Sequence, residues 1–438
     1  MFKPVHLLVL VHGLWGNGSH LGSMKEEIIA SYEETHKESP TELVLLLPQS
    51  NEGDLTYDGI DICASRMIEE VDAEIDRLEN IEGKEVSSFS IVGYSLGGLV
   101  ARYMIGLLES RPERFFEKRK PMNFATFATP WIGMPRYRGV VNKFTSAIGS
   151  KLLSRTGAQL YCVDKEKLVY RLGKKGDVFY RALERFERID VVANAVFDKT
   201  VPYPTGAISA EDPFDEYDTN GLEIEMESDR PVIKSFRFPS TSRLSSGSSS
   251  EESFDSPSPT PPPPPVPKRT HKRNSLPPWF RFRFPLNILF FVSLPLLVPV
   301  FVCVVLGHFI KSGRQSSRRL KNQTTLGVWD RLRSIEKAVE HDLSLGVDEA
   351  MSYELESSVP VSKFMLEHGH KKQSLILTEE QLDNIRSLNK LPKLKKHLVF
   401  FPDAFNSHAM IISRDPKKFP DHGRGRIVIR SWADLLVI

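Results

Sequence analysis

The stretch Ser90-Ile91-Val92-Gly93-Tyr94-Ser95-Leu96-Gly97-Gly98-Leu99-Val100-Ala101-Arg102 decides how the rest of the chain is read. Ser90–Val92 close an apolar run of strand character, and Leu96 onward reads as a helix. Between them lies Gly93-x-Ser95-x-Gly97, a strand-to-helix turn too tight for side chains at its two glycines. On such a turn Ser95 holds a strained backbone and lifts its Oγ above the sheet edge. The first N–H groups of the helix, that of Leu96 foremost, then face any anion formed there. The spacing marks Ser95 as a nucleophile and leaves an ordinary strand–helix turn as the alternative.

Upstream, Val5–Val11 is a continuous apolar run, the signature of a strand buried on both faces of a parallel sheet. It leaves through His12-Gly13-Leu14-Trp15-Gly16, a glycine-rich exit able to bring a second backbone donor, that of Leu14, beside Leu96. A helix is predicted over Met24–Tyr32 and a second buried strand over Leu43–Leu47. Ile60, Ala64, Met67, Ile68, Val71 and Ile75 line one face of the next helix. Further strands follow at Phe124–Ala128 and Ile189–Val196, with 134–188 in a slot suited to a lid. This alternation predicts an α/β fold with a doubly wound, mostly parallel sheet.

Asp198 stands just past the end of one late strand, where a turn or cap role is the alternative to a catalytic acid. His408 follows the strand-like Lys396–Phe401, and Ile427–Trp432 reads as a final strand. Ser95, Asp198 and His408 therefore come in the order nucleophile, acid, base, each at a strand end, which is the α/β-hydrolase order. His422, between Asp421 and Gly423, competes for the base but lies further from a strand end.

Composition narrows the rest. With 58 basic and 56 acidic residues among 438, a net charge of +2 gives no nucleic-acid signature. Three cysteines form no motif and leave one unpaired, which suits a reducing compartment. Met1-Phe2-Lys3-Pro4 leads straight into a strand, so no signal peptide is expected. No histidine or cysteine cluster has metal-ligand spacing, and neither metal nor cofactor is expected.

After residue 206 the character changes. Ser240–Pro267 is nearly all Ser, Pro, Glu and Asp and is expected to be disordered; Lys268, Arg269, Lys272, Arg273, Arg281 and Arg283 follow without an acid. Phe284–Ile310 carries no charge at neutral pH and would span about 40 Å as one helix. Pro295 and Pro299 interrupt it, both flanks are basic, and the candidate triad falls on both sides of it. A monotopic hairpin is therefore expected, with a pair of core helices or a true span as alternatives. The Trp279-Phe280-Arg281-Phe282-Arg283-Phe284 alternation suits a membrane interface.

The chain resembles the fungal branch of the serine esterase family of α/β-hydrolases, which includes lipid-droplet phospholipases. The matching residues are Val11-His12-Gly13-Leu14-Trp15-Gly16, Thr56-Tyr57-Asp58-Gly59-Ile60-Asp61, Gly93-Tyr94-Ser95-Leu96-Gly97-Gly98, Ala128-Thr129-Pro130, Asp198-Lys199-Thr200-Val201-Pro202 and Ser407-His408-Ala409. They cover 1–206 and 396–438. The resemblance implies a serine acyl hydrolase acting on lipid esters, at a lipid droplet or the cytosolic face of the endoplasmic reticulum. One departure is Trp131, where relatives often carry His, in a structural or lid-facing position. The expected organisation is a hydrolase body at 1–206, a linker at 207–283, a membrane hairpin at 284–310, a connector at 311–395 and final strands at 396–438. The expected substrate is a glycerophospholipid. A neutral-lipid lipase, a protein S-acyl thioesterase or a catalytically idle membrane scaffold are the other readings.

Overall fold

A computed structural model describes residues 3–137, 148–238, 286–323 and 375–438. Its strands are β1 (Lys3–Val11), β2 (Glu42–Leu46), β3 (Lys84–Tyr94), β4 (Lys120–Phe127), β5 (Arg136–Tyr137), β6 (Arg188–Asn194), β7 (Glu223–Met226), β8 (Ile233–Arg237), β9 (Leu375–Ile376) and β10 (Leu394–Val399). The helices used below are α1 (Gly22–Thr35), α2 (Ile60–Asp76), α3 (Leu96–Glu109), α4 (Ser154–Leu160), α5 (Leu168–Gly173), α6 (Val178–Glu184), α7 (Leu286–Gln323), α8 (Glu379–Leu388) and α9 (Gly425–Ala433).

Six strands form one sheet in the order β10-β6-β4-β3-β1-β2, parallel at every pairing. This is the α/β-hydrolase arrangement. β1 is apolar throughout because both its faces are covered. Val5, Leu7, Val9 and Val11 pack with α2 and α3, while Leu8 and Leu10 pack with α1 and α9. β2 differs from the buried strand expected of it. It is the sheet's edge, and all five of its residues are half-buried.

One polar knot crosses the middle of the sheet. His6 Nε2 lies 2.7 Å from Ser90 Oγ, which also accepts the backbone and side-chain N–H of Asn123, each at 2.9 Å. Burial brings His6 down to about 4, so its imidazole is neutral and fits a dry interior.

Several expectations are corrected. Ile427–Trp432 lies within the helix α9, not a strand. Val428, Ile429, Trp432 and Ala433 are buried at helical spacing, while Ile427 is 46% exposed. Arg426 and Arg430 on the outer face pair with Glu26, Glu27 and Glu34 of α1. The β-branched run hid a period of 3.6.

The body also extends past residue 206. Phe214 meets the Tyr203 ring edge-on at 5.1 Å and the tilted Phe236 ring at 5.0 Å, and Phe400 N–H bonds Pro231 C=O at 2.9 Å. A few aromatics in a polar stretch carry this packing. The body is resumed by residue 375 rather than 396, because α8, with a capping box at Thr378, buries Ile385 and Leu388. Residues 148–188 pack along the body, and 138–147 of the expected lid slot lie outside the described residues. Phe179 of α6 stacks on Tyr103 at 4.7 Å, and Asn384 of α8 bonds Val169 C=O of α5 at 3.1 Å.

The apolar segment is one helix, α7, and not a hairpin; it runs through Pro295 and Pro299. Leu294-Pro295-Leu296-Leu297-Val298-Pro299 contains no Gly, Asn or Asp to turn the chain. Proline's fixed φ is compatible with a helix, so each costs a hydrogen bond without reversing direction. The Ser/Pro-rich and basic stretches of 239–285, and 324–374, lie outside the described residues.

The helical reading of α9 predicts an asymmetry that a strand would not give. Val428→Asp should destabilise the full chain by about 3 kcal/mol or more, through a buried unpaired charge. Ile427→Asp should change stability by no more than about 0.5 kcal/mol. Chemical unfolding of the two variants checks this.

Candidate active site

Ser95 has φ 55° and ψ −125°, a conformation that costs an L-residue roughly 1–3 kcal/mol. Its neighbours leave it no other. Ser95 N–H donates to Phe127 C=O at 2.9 Å, and its own carbonyl accepts Gly98 N–H at 3.1 Å and the Thr129 hydroxyl at 2.9 Å. A Cβ at Gly93 would stand 2.3 Å from Gly98 Cα, and one at Gly97 would stand 2.3 Å from Val11 C=O. The two glycines are therefore steric requirements.

The exit of β1 lies directly against Ser95, since a Cβ at Gly13 would be 2.8 Å from Ser95 Cβ. That loop is braced on the segment 53–58. Trp15 N–H bonds Thr56 Oγ1 at 3.2 Å, the Trp15 indole N–H bonds Tyr57 OH at 2.9 Å, and Gly53 N–H bonds Gly16 C=O at 3.0 Å. His12 folds its Nδ1–H back onto Gly13 C=O at 3.0 Å, and burial lowers its pKa and keeps it neutral. Leu96 opens α3, so its N–H has no acceptor within the helix.

His408 Nε2 lies 3.1 Å from Ser95 Oγ, and its Nδ1 lies 3.0 Å from Asp198 Oδ2. Asp198 Oδ1 accepts the N–H groups of Thr200 and Val201 at 2.9 and 2.8 Å, and Oδ2 accepts Asn194 Nδ2 at 2.8 Å. The carboxylate is thus fixed in one orientation. The three residues expected from chain order meet, although 313 positions separate Ser95 from His408.

Four supporting residues were not legible in the sequence. Tyr94 OH bonds His408 C=O at 3.1 Å, and its ring lies 5.2 Å from the imidazole. Ser407 bonds Phe197 C=O and Val196 C=O at 3.0 and 2.8 Å, tying the histidine loop to the aspartate loop. Asn406 Oδ1 accepts both Lys199 N–H and His408 N–H, at 3.3 and 3.2 Å. Asn194 is the fourth. Tyr94 and Ser407 sat inside quoted motifs; the two asparagines gave no signal.

His422 is elsewhere, accepting Asp415 N–H at 3.2 Å and packing on Phe419. Trp131 is fully buried and not lid-facing. Its indole N–H bonds Thr126 Oγ1 at 2.8 Å, and the Arg102 guanidinium lies 4.5 Å over its ring. All three cysteines are unpaired. Among the described residues, no group of three or more His, Cys, Asp or Glu could hold a metal ion.

Residues 1–211 match the family described as "Putative serine esterase (DUF676)". The likeness to that family thus lies in the part of the chain that holds Ser95 and Asp198. Among similar proteins is "Putative lipase C4A8.10" of Schizosaccharomyces pombe, 28% identical over 47% of this chain and 26% of the relative. Another is "Putative lipase ROG1" of Saccharomyces cerevisiae, 28% identical over 47% of this chain and 29% of the relative. The chain thus spans between a quarter and a third of the length of these relatives. Solved structures with partial likeness include a monoacylglycerol lipase of Paleococcus ferrophilus, 16% identical, covering 46% of this chain and 76% of that one at a TM-score of 0.26. Phospholipase PlaB of Legionella pneumophila is 11% identical, covering 44% and 39%, at a TM-score of 0.30.

The geometry sets a labelling experiment. A fluorophosphonate probe should mark the wild-type chain at one serine. Ser95→Ala should abolish the mark and His422→Ala should leave it, whereas a labelled Ser95→Ala protein would place the nucleophile elsewhere.

Proposed function

We propose that the protein is a serine acyl hydrolase that cleaves fatty-acyl esters of glycerophospholipids at a lipid surface. The observation that carries this reading is the unbroken sequence Ser95 Oγ, His408 Nε2, His408 Nδ1, Asp198 Oδ2, with both links near 3 Å. As Ser95 Oγ attacks the ester carbonyl carbon, His408 Nε2 takes its proton, and Asp198 steadies the imidazolium through Nδ1–H. The carbonyl oxygen becomes an oxyanion that accepts the N–H groups of Leu14 and Leu96. Collapse breaks the ester C–O bond, and His408 gives its proton to the departing alcohol oxygen of the lyso-lipid. Water, deprotonated by His408, then attacks the acyl-serine and releases the fatty acid.

The lipid surface enters through α7. This helix contains a stretch long and apolar enough to cross a membrane, with mean hydropathy 2.3, and none of that stretch is buried against the body. Val292, Leu296 and Phe301 are each more than two-thirds exposed. Its far end, however, cannot lie across a bilayer. Phe238 ends on the body, and the 239–285 sequence that leads from it to Leu286 has no apolar run able to cross back. The apolar half of α7 therefore enters one leaflet at a tilt, with both its flanks on one side. A phospholipid monolayer on a lipid droplet, or the cytosolic face of the endoplasmic reticulum, accommodates this.

The decisive assay incubates the purified full chain with phospholipid vesicles and measures free acids and lyso-lipids. Wild type should release both. His408→Ala and Asp198→Asn should each lower kcat by about 10⁴-fold. Release only from triacylglycerol, or only from S-acylated peptides, would replace the substrate; release from none would leave a scaffold.

Topology has its own check. Protease added to intact droplets or microsomes should cleave tags inserted at both 270 and 340. Protection of the tag at 270 alone would mean that α7 spans.

A further inference from the structure

The motif Thr56-Tyr57-Asp58-Gly59 has no part in the proposed chemistry, yet Asp58 is fully buried and is shared by two arginines. Arg66 Nη2 reaches Asp58 Oδ2 at 2.6 Å from α2. Arg319 reaches it from α7, through Nη2 to Oδ1 at 2.7 Å and Nε to Oδ2 at 3.0 Å, and also bonds Asp54 C=O at 3.0 Å. Two further residues of the same face of α7 are buried on the body. Ser312 donates to Asp54 Oδ2 at 2.8 Å, and Ser316 Oγ lies 3.2 Å from Ser154 Oγ of α4. One turn earlier, Phe309 meets Trp15 edge-on at 5.8 Å.

The opposite face of this half carries Lys311, Arg314 and Arg318, all exposed. α7 thus changes character at His308. Before that residue it is apolar and none of its described side chains is buried on the body; from it onward, one face is cationic and the other is plugged into 53–58. A cationic collar next to an apolar stem marks the depth of anionic headgroups. That depth coincides with Trp15, which is 46% exposed and sits two residues from Gly13, the residue packed against Ser95.

We propose that the Arg319–Asp58 pair, with Ser312 and Ser316, is a latch that holds the lipid-entering helix at a fixed angle beside the Trp15 loop, so that the mouth over Ser95 rests on the headgroup layer. Arg319 and Asp58 are positioning residues in this account, since neither touches substrate. The inference rests on the lipid-surface reading above. Asp58 has a second partner in Arg66, so the body survives loss of Arg319, while the helix loses its only charged pairing to the body among the described residues other than the long contact of His308 with Asp54.

The test compares wild type and Arg319→Gln as full chains on three readouts. Hydrolysis of a short water-soluble ester should change less than twofold, and flotation with phosphatidylcholine–phosphatidylserine vesicles should be unchanged. Hydrolysis of those vesicles should fall by about 10- to 100-fold, the effect of misplacing a reacting centre. A cross-link should restore it. In Ser154→Cys/Ser316→Cys/Arg319→Gln the two sulfurs are within reach of a disulfide, so oxidation should recover the vesicle rate and dithiothreitol should remove it again.

A vesicle rate for Arg319→Gln equal to wild type overturns the latch, as does a cross-linked protein that is not rescued. Equal loss on the soluble ester would also overturn it, in favour of a merely structural pair. Failure of the lipid reading is separable, because orientation is also read without turnover. In the Ser95→Ala background, brominated lipid should quench a component of tryptophan fluorescence that Trp15→Phe removes, and Arg319→Gln should abolish that component. Its persistence would sink the latch even if no phospholipid were hydrolysed.

Discussion

A positive φ at a serine is the constraint that the rest of the fold is arranged to hold. Ser95 stays at 55° because three hydrogen bonds grip its backbone and because Gly93, Gly97 and Gly98 allow β3, α3 and the end of β1 to touch without side chains between them. The strain is small beside the packing that opposes its release. α3 is almost wholly buried, with Leu99, Ala101, Met104, Ile105 and Leu108 at 0% exposure, so the helix cannot roll to relax the turn. The central sheet supplies rigidity on the other side, with β1 and β4 pairing parallel on the two sides of β3.

This constraint explains why so much was legible from sequence. Close backbone approach leaves a mark in glycines at fixed offsets, and a strand buried on both faces leaves a run without polar residues. Chain order then placed Asp198 and His408. What failed to show was of another kind. Asn194 and Asn406 hold Asp198 and His408 in place through single hydrogen bonds, and nothing in a sequence distinguishes them from loop asparagines. The helix α9 looked like a strand because Ile427, Val428 and Ile429 are adjacent and β-branched, and the pairing of Arg430 with Glu34 that covers its outer face is tertiary. Residues 207–238 read as linker because three aromatics among many polar residues carry their packing, Phe214 on Tyr203 and Phe236 and Tyr217 on the distant Phe400.

The apolar segment departs furthest from its expected shape, and for a physical reason. Two prolines and basic flanks argued for a reversal, but reversal also needs a residue able to turn, and none lies between Leu294 and Pro299. The polar half of α7 was equally hidden. Ser312, Ser316 and Arg319 follow helical spacing and bury against the body, where a composition reading saw only a basic flank.

His408 is the last of the three site residues along the chain, and β10, which precedes it, closes the sheet beside β6. During synthesis at about 5–20 residues per second, Ser95 and Asp198 emerge many seconds ahead of His408. Between them comes α7 in its entirety. The group that would activate Ser95 is therefore translated only after this long apolar helix. In a nascent chain of this order the three side chains can meet only after the whole of α7 has been made.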